Sequence, residues 1–350
     1  MKKLVKILLP FLCLNASLLS ACGSDNRVQL SFGNINATVI DEKTPKFSFS
    51  DLDSKIENQE SFIMTIADTT CACWSDFRPI INAYSTEKHI DCLFFKYNDF
   101  VSQTAKYGID VVKGTTKFVI YEEGKVKVDM KSSSSDKTMR DKDTFYKFMD
   151  GTVKLPKAYL ISEQDYSTVT ENGAIIYFER SKCGDCNFLN PTVLANYVKK
   201  HPDMNNIYVL DCQEWKDSLD AVKYQAKKNN YGISKTNNPE YGYDTGVFPF
   251  FSYVKKGYHL SGAVAFNDEV SKVNGKYVIT NSYYTSERLE KLDYLANVDH
   301  KVLKGMELSS NDVSDNGEFI SWEKEKAVKY YEPIINAFLD TYLPQVNYNL

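Results

Sequence analysis

Residues 47–84 match residues 159–196 at a constant offset of 112 without a gap, through Ser50/Ser162, Asp53/Asp165, Ile63/Ile175, Cys71/Cys183, Pro79/Pro191 and Ala83/Ala195. Self-similarity at a fixed spacing means that one unit is built twice, and this limits the fold more than any local propensity does. Further on, the offset grows in steps while order is kept. Asp91-Cys92 answers Asp211-Cys212 at 120, Tyr107-Gly108-Ile109 answers Tyr231-Gly232-Ile233 at 124, and Gly124 answers Gly257 at 133. Growing offsets of this kind are what lengthening loops produce between persistent elements.

Each copy runs from a polar helical stretch (50–59, 162–171) into an apolar strand (62–67, 174–178), a Cys-bearing turn and a Pro-containing helix. A strand, a helix and a strand-turn-strand pair follow (118–121 with 126–129; 250–254 with 259–266). This order predicts two tandem α/β sandwiches, each a mixed central sheet with helices on both faces. The Ser-rich stretch 131–137 reads as a surface loop and 143–151 as the helix closing the first copy. Past the second hairpin the repeat is lost. A helix is expected over 286–297, a polar loop over 305–317 and an amphipathic helix over 322–343 interrupted at Pro333, together a C-terminal helical extension.

The N-terminus reads as processing signal. Lys2, Lys3 and Lys6 precede an apolar stretch, 4–19, that is shorter than the roughly 20 residues of a spanning helix. It ends in Leu19-Ser20-Ala21-Cys22, which resembles the bacterial lipoprotein signal. That resemblance implies cleavage before Cys22, thioether attachment of diacylglycerol to Cys22, and a lipid-anchored protein on the extracytoplasmic side of the cell membrane. The expected organisation is a signal peptide over 1–21, a lipidated tether over 22–44, a first domain over 45–153, a second over 154–285 and the extension over 286–350. Loss of the signal leaves 39 Lys+Arg against 46 Asp+Glu, a formal charge of −7, which gives no basic footprint for nucleic acid. Outside the cytoplasm the six remaining cysteines can form bridges or serve as redox centres.

Cys183-Gly184-Asp185-Cys186 lies where a buried strand meets a helix. The first Cys of such a pair faces unpaired backbone N–H groups and the positive end of the helix dipole, which favour its thiolate. The second is placed to resolve a mixed disulfide on the first. With Pro191 in the helix and Gly246-Val-Phe-Pro249 opening a strand and Gly257 turn, this segment resembles the thioredoxin family. The resemblance implies a thioredoxin-like fold for both copies, a nucleophilic Cys183, a resolving Cys186, and a cis-proline at Pro249 beside the dithiol. Two departures stand out. The acid often found six residues before the nucleophile is Tyr177 here, and the Trp often found just before it is Lys182. Glu179 reads as a solvated charge, with replacement of the missing acid as the alternative.

The same frame puts Cys71 on Cys183, Trp74 on Cys186 and Thr116 on Pro249, with Cys73 one residue early. Three readings of this copy stay open: redox through Cys71 and Cys73, redox with Cys92 as partner, or a scaffold without chemistry. Cys92 and Cys212 are placed at the carboxyl ends of equivalent strands, with packing as their expected role. The chain carries neither a Gly-rich phosphate loop nor a His-Glu-x-x-His motif, so no cofactor or metal is called for. The expected function is thiol–disulfide exchange on exported proteins, served by a redox partner protein. The rival is a thioredoxin-fold binding protein or one that captures a metal through Cys71, Cys73 and Cys92.

Overall fold

The computed structural model describes residues 25–133, 135–266, 268–303, 305–309, 312 and 324–347. The signal segment 1–21, Cys22 and most of the loop expected over 305–317 lie outside them. Among the described residues no helix is long and apolar enough to cross a membrane.

Among the described residues the first elements are two short strands, β1 (Val28–Gln29) and β2 (Phe32–Asn34). Helix Phe49–Glu57 follows, started by a capping box in which the Ser48 side chain accepts from the Asp51 N–H and the Asp51 carboxylate accepts from the Ser48 N–H. Strand β3 (Phe62–Ala67) is buried at every position. It sends Ile63 and Ala67 to one core and Phe62, Met64 and Ile66 to the other, the two-residue alternation of a strand covered on both sides. β4 (Cys92–Lys96) runs parallel to β3. β5 (Thr116–Glu122) runs antiparallel to β3 and is hairpinned to β6 (Lys125–Lys131), giving the order β4-β3-β5-β6. Helix Ala72–Lys88, with Pro79 inside, shares one face with the closing helix Lys142–Thr152 through edge-on contacts of Phe77 and Tyr84 with Phe145 at 5.1 and 5.7 Å. The opposite face is sealed by helix Phe49–Glu57, with Phe49 stacked on Phe95 at 4.7 Å.

After β7 (Val153–Lys154), the second unit repeats this plan from β8 (Ala158–Ile161), β9 (Ala174–Glu179) and β10 (Ile207–Asp211) to β11 (Phe250–Lys255) and β12 (Tyr258–Val264). β9 is parallel to β10 and antiparallel to β11, as β3 is to β4 and β5. The conserved offsets have physical counterparts. Gly108 and Gly232 both sit at positive φ, 65° and 63°, each followed by a fully buried Ile, while Gly124 and Gly257 turn the two hairpins at φ 74°. Each copy is therefore a thioredoxin-like α/β sandwich.

Two regions differ from their sequence-based description. Over 22–44 the sequence predicts a tether, yet β1 pairs with β7, and β2 pairs with β8 as the sixth strand of the order β12-β11-β9-β10-β8-β2. The backbone beside it bonds the first unit, Ser31 N–H to Ser61 O at 3.0 Å and Asn34 N–H to His89 O at 2.7 Å. The cause is the alternation Val28-Gln29-Leu30-Ser31, which buries Val28 and Leu30 in the core of the first unit. At Gly33 an added Cβ would lie 2.4 Å from the Tyr159 ring and 2.8 Å from His89 O, so only glycine lets the units approach this closely.

The second difference concerns the C-terminal extension. It begins beyond a hairpin, β13 (Asp268–Val273) and β14 (Lys276–Asn281), which pairs with the short β15 (Met306–Glu307). The helix expected over 286–297 stops at Lys291, and a 3₁₀ turn, Asp293–Asn297, follows the extended Leu292. Helix Lys324–Tyr342 then packs back on the second sheet. Phe338 meets Phe251 at 6.3 Å, Tyr342 stacks on Tyr253 at 5.2 Å, and the Tyr197 hydroxyl donates to Asp340 at 2.7 Å. This terminal helix thus covers the face that Lys142–Thr152 covers in the first unit, and it belongs to the same core as β9.

Candidate redox site

Strand β9 ends at Glu179, and the turn Arg180-Ser181-Lys182 leads to Cys183, the N-cap of helix Gly184–Leu189. The turn is pinned by backbone donation, Cys183 N–H to Arg180 O at 2.9 Å and Ser181 N–H to the Asp211 carboxylate at 3.0 Å. Cys183 is 6% exposed and Cys186 fully buried, both as free thiols. The Cys186 thiol donates to the Cys183 sulfur; against the opposing effect of burial, this bond, the Cys186 and Asp185 backbone N–H groups and the Arg180 charge draw Cys183 down to about 5. Burial pushes Cys186 far up instead, and the neighbouring Cys183 and Glu179 add to the rise. One sulfur is thus a thiolate at neutral pH while its partner holds a proton. The cation that reaches Cys183 is Arg180; Lys182 is exposed and paired with Asp217 at 2.8 Å.

Pro249 follows a cis peptide bond from Phe248 and directly precedes β11. The register Phe250↔Phe178 places it beside the Glu179 end of β9, at the edge of the sheet that carries the dithiol.

Glu179 corrects the sequence expectation of a solvated charge. It is 5% exposed and accepts from Asn190 Nδ2 at 2.7 Å, while the Tyr177 hydroxyl donates to Asn190 Oδ1 at 2.8 Å. Burial pushes its carboxyl up to about 8; Asp211 and, across the unit boundary, Glu60 add to this, and the Asn190 and Tyr177 hydrogen bonds oppose it. Alternation along β9 puts Glu179 on the face of Tyr177, so the acid absent at position 177 is restored two residues later. Asn190 opens the π-helical turn Asn190–Leu194 that contains Pro191, a device found often at functional sites. It also lines a cavity of about 260 Å³ between the units, with Ser31, Glu60 and Glu123 on the far wall. Asn190 and Arg180 carry no motif. Their signal was positional, each flanking an element that the repeat had already located.

Cys212 is fully buried after β10, its N–H donating to Glu179 O at 2.8 Å, and burial pushes its thiol well up. Cys92 is not its equivalent. It begins β4 and pairs with Ile63, whereas Cys71 lies four residues beyond Ala67, so the two sit at opposite ends of β3. The Thr65 hydroxyl is 3.4 Å from the Cys92 sulfur, and burial pushes that thiol up to about 12. A site joining Cys71, Cys73 and Cys92 is therefore not formed, which removes Cys92 both as a redox partner and as a third metal ligand. Among the described residues no group of three or more His, Cys, Asp or Glu side chains is placed to hold a metal ion.

Cys71 and Cys73 form a disulfide at the start of helix Ala72–Lys88. Thr116, in the place of Pro249, has its hydroxyl 3.4 Å from the Cys73 sulfur, and Ala67 holds the place of Glu179. Trp74, in the place of Cys186, stacks on Phe94 at 5.0 Å and donates its indole N–H to Glu42 at 2.8 Å.

No family model matches the sequence, and no curated protein does. Among solved structures, a thioredoxin from Nicotiana alata is 16% identical with a TM-score of 0.21, over 31% of this chain and 80% of that one. Human ERp44 is 13% identical with a TM-score of 0.23, over 47% of this chain and 45% of that one. ERdj5 is 10% identical with a TM-score of 0.25, over 63% of this chain and 26% of that one. The fold assignment rests on the strand order and direction. Both units are thioredoxin-like.

Proposed function

We propose that this protein is a thiol–disulfide oxidoreductase that works through its second unit. The observation that carries the reading is the free-thiol pair at the start of one helix, Cys183 at its N-cap and Cys186 buried in its first turn, on the sheet edge that Pro249 adjoins, with Cys183 drawn down to about 5 and Cys186 pushed up. The Cys183 thiolate attacks a substrate disulfide, forming a mixed disulfide and releasing one substrate thiolate. With Glu179 ionised, the minor form at neutral pH for a carboxyl raised to about 8, Cys186 gives its proton to Glu179 and attacks the Cys183 sulfur, releasing the second substrate thiolate and leaving a Cys183–Cys186 disulfide. Two electrons have then passed to the substrate, and a redox partner protein resets the pair; the reverse sequence oxidises a dithiol. Asn190, held by Tyr177, positions the Glu179 carboxylate for that transfer.

The setting of this chemistry is part of the same proposal. Cleavage before Cys22 and its lipidation would anchor the protein outside the cytoplasm, where exported proteins with disulfides are its substrates. Two measurements test the proposal. Cys183→Ser should abolish turnover of a disulfide substrate, and unchanged turnover would overturn the enzymatic reading. Cys22→Ser should release the protein from the membrane fraction and end incorporation of labelled palmitate; persistence of both would overturn the anchor.

A further inference from the structure

Around the dithiol lie three cations without carboxylate partners. Arg180 sets its guanidinium 5.7 Å over the ring of Phe248, and its Nε is buried with no hydrogen-bond partner. Lys228 is only 7% exposed; its ammonium lies 4.9 Å over the Tyr224 ring and donates to Gly246 O at 3.2 Å. Lys216 holds its own ammonium 5.3 Å over the same Tyr224 ring. Among the described residues none of the three has an ion pair within 4 Å, whereas Lys182 and Lys227 nearby are matched by Asp217 and Glu163. Burial, then the charges of Lys216 and Arg180, push the Lys228 ammonium down in pKa, with Asp244 alone opposing. The Arg180 charge also reaches Cys183, so the cluster and the reacting sulfur share one field.

Like charges gathered at a partly buried place destabilise one another unless something neutralises them. Of the nearby carboxylates, Asp217 is committed to Lys182 and Asp211 to the Ser181 and Gln213 N–H groups, and Asp244 acts on Lys228 only through space, with no ion pair within 4 Å. The planar guanidinium of Arg180, a partly exposed residue, suits a carboxylate, the common anion of a peptide chain, through its outer N–H groups.

We propose that the second unit selects disulfides whose reacting cysteine is flanked by an acidic residue, bound by Arg180 with Lys216 and Lys228. This rests on the redox reading above and specifies its substrate class. Cys183 attacks the flanked sulfur, the substrate disulfide is reduced to two thiols, and the Cys183–Cys186 dithiol is oxidised, with no further reductant in a single turnover.

The test uses the reduced full chain and three disulfide peptides that differ only in the residue beside the cysteine, Glu, Gln or Lys. Thiol release is followed in single turnover. The Glu peptide should react about 10-fold faster than the Lys peptide at low salt, with Gln between, and the ratio should shrink at high salt. In R180Q the Glu-to-Lys ratio should fall to within about 2-fold, and in K216Q it should fall by a smaller factor, whatever the absolute rates. Equal rates for the three peptides, or a ratio untouched in both variants, overturn the assignment and leave the redox reading intact. Absence of thiol release from every peptide overturns the redox reading and this proposal with it.

Discussion

The two cysteine-bearing turns of this chain occupy the same place on the same scaffold and differ in what surrounds the sulfur. In both units a cysteine caps the helix that leaves the central strand. In the second unit it has Cys186 three residues on, Glu179 at the strand end and Pro249 across the edge. In the first, those places hold Trp74, Ala67 and Thr116, and Cys71 is closed onto Cys73. Under the proposed function, the acid, the proline and a partner at the right spacing, and not helix capping alone, set the second turn apart.

The largest expected effect breaks the symmetry outright. Cys183→Ser should lower turnover of a disulfide substrate by at least about 10³-fold, because the nucleophile itself is lost. Cys71→Ser should leave the same assay within about 2-fold if the first unit contributes no chemistry to it. A comparable loss in both variants would show that the two turns act in series.

Glu179→Gln sharpens the contrast at the acid. It should slow resolution of the mixed disulfide on the order of 10²-fold while leaving the first attack by Cys183 unaltered, since only the second step needs the base. Quenched-flow trapping of the mixed disulfide separates the two. Stability gives an independent reading. A carboxyl raised from 4.5 to about 8 contributes stability that is complete below pH 4.5 and lost as pH rises through 8. Glu179→Gln should thus match the parent in denaturant midpoint near pH 4 and exceed it near pH 9.

The sulfurs themselves should titrate apart. Alkylation of Cys183 in the reduced protein should rise with a midpoint at about pH 5 and be flat through neutrality, while Cys186 stays unmodified there. The sign follows for folding as well: a thiol lowered from 9.0 to about 5 adds stability that is full above pH 9 and fades as pH falls through 5. A Cys183 midpoint near 9 would remove the asymmetry on which the nucleophile assignment stands.

Much of this was legible because the repeat imposed a register. Once Cys71 lay on Cys183, the strand before it, the Thr116 and Pro249 positions and the paired Tyr-Gly-Ile turns followed from counting, and helix Lys142–Thr152 closed its unit as expected. Two failures share a cause, since burial created by distant segments leaves no local trace. Glu179 reads as solvated in the sequence because nothing near it announces Asn190 folding back on it. Helix Lys324–Tyr342 reads as an appendage because an inserted hairpin separates it from β12. Cys92 was misplaced by matching the Asp-Cys pair rather than the strand, which starts at Cys92 and ends before Cys212.

The smallest effect probes whether the units influence each other at all. β2 is clamped between them, and the Cβ of Gly33→Ala would meet the Tyr159 ring at 2.4 Å and His89 O at 2.8 Å. Relief requires the ring or the backbone of the first unit to move, at a cost of about 1–3 kcal/mol in unfolding free energy. Because Glu60 and Asn190 face the same interunit cavity, and the Glu60 charge helps raise Glu179, a loosened junction should also bring the Glu179 carboxyl down from about 8. The observable is the pH at which mixed-disulfide resolution reaches half its maximum. A downward shift in Gly33→Ala, with Cys183 alkylation unchanged, would mean that the first unit tunes the proton acceptor of the second; loss of stability without a shift would make the junction mechanical only.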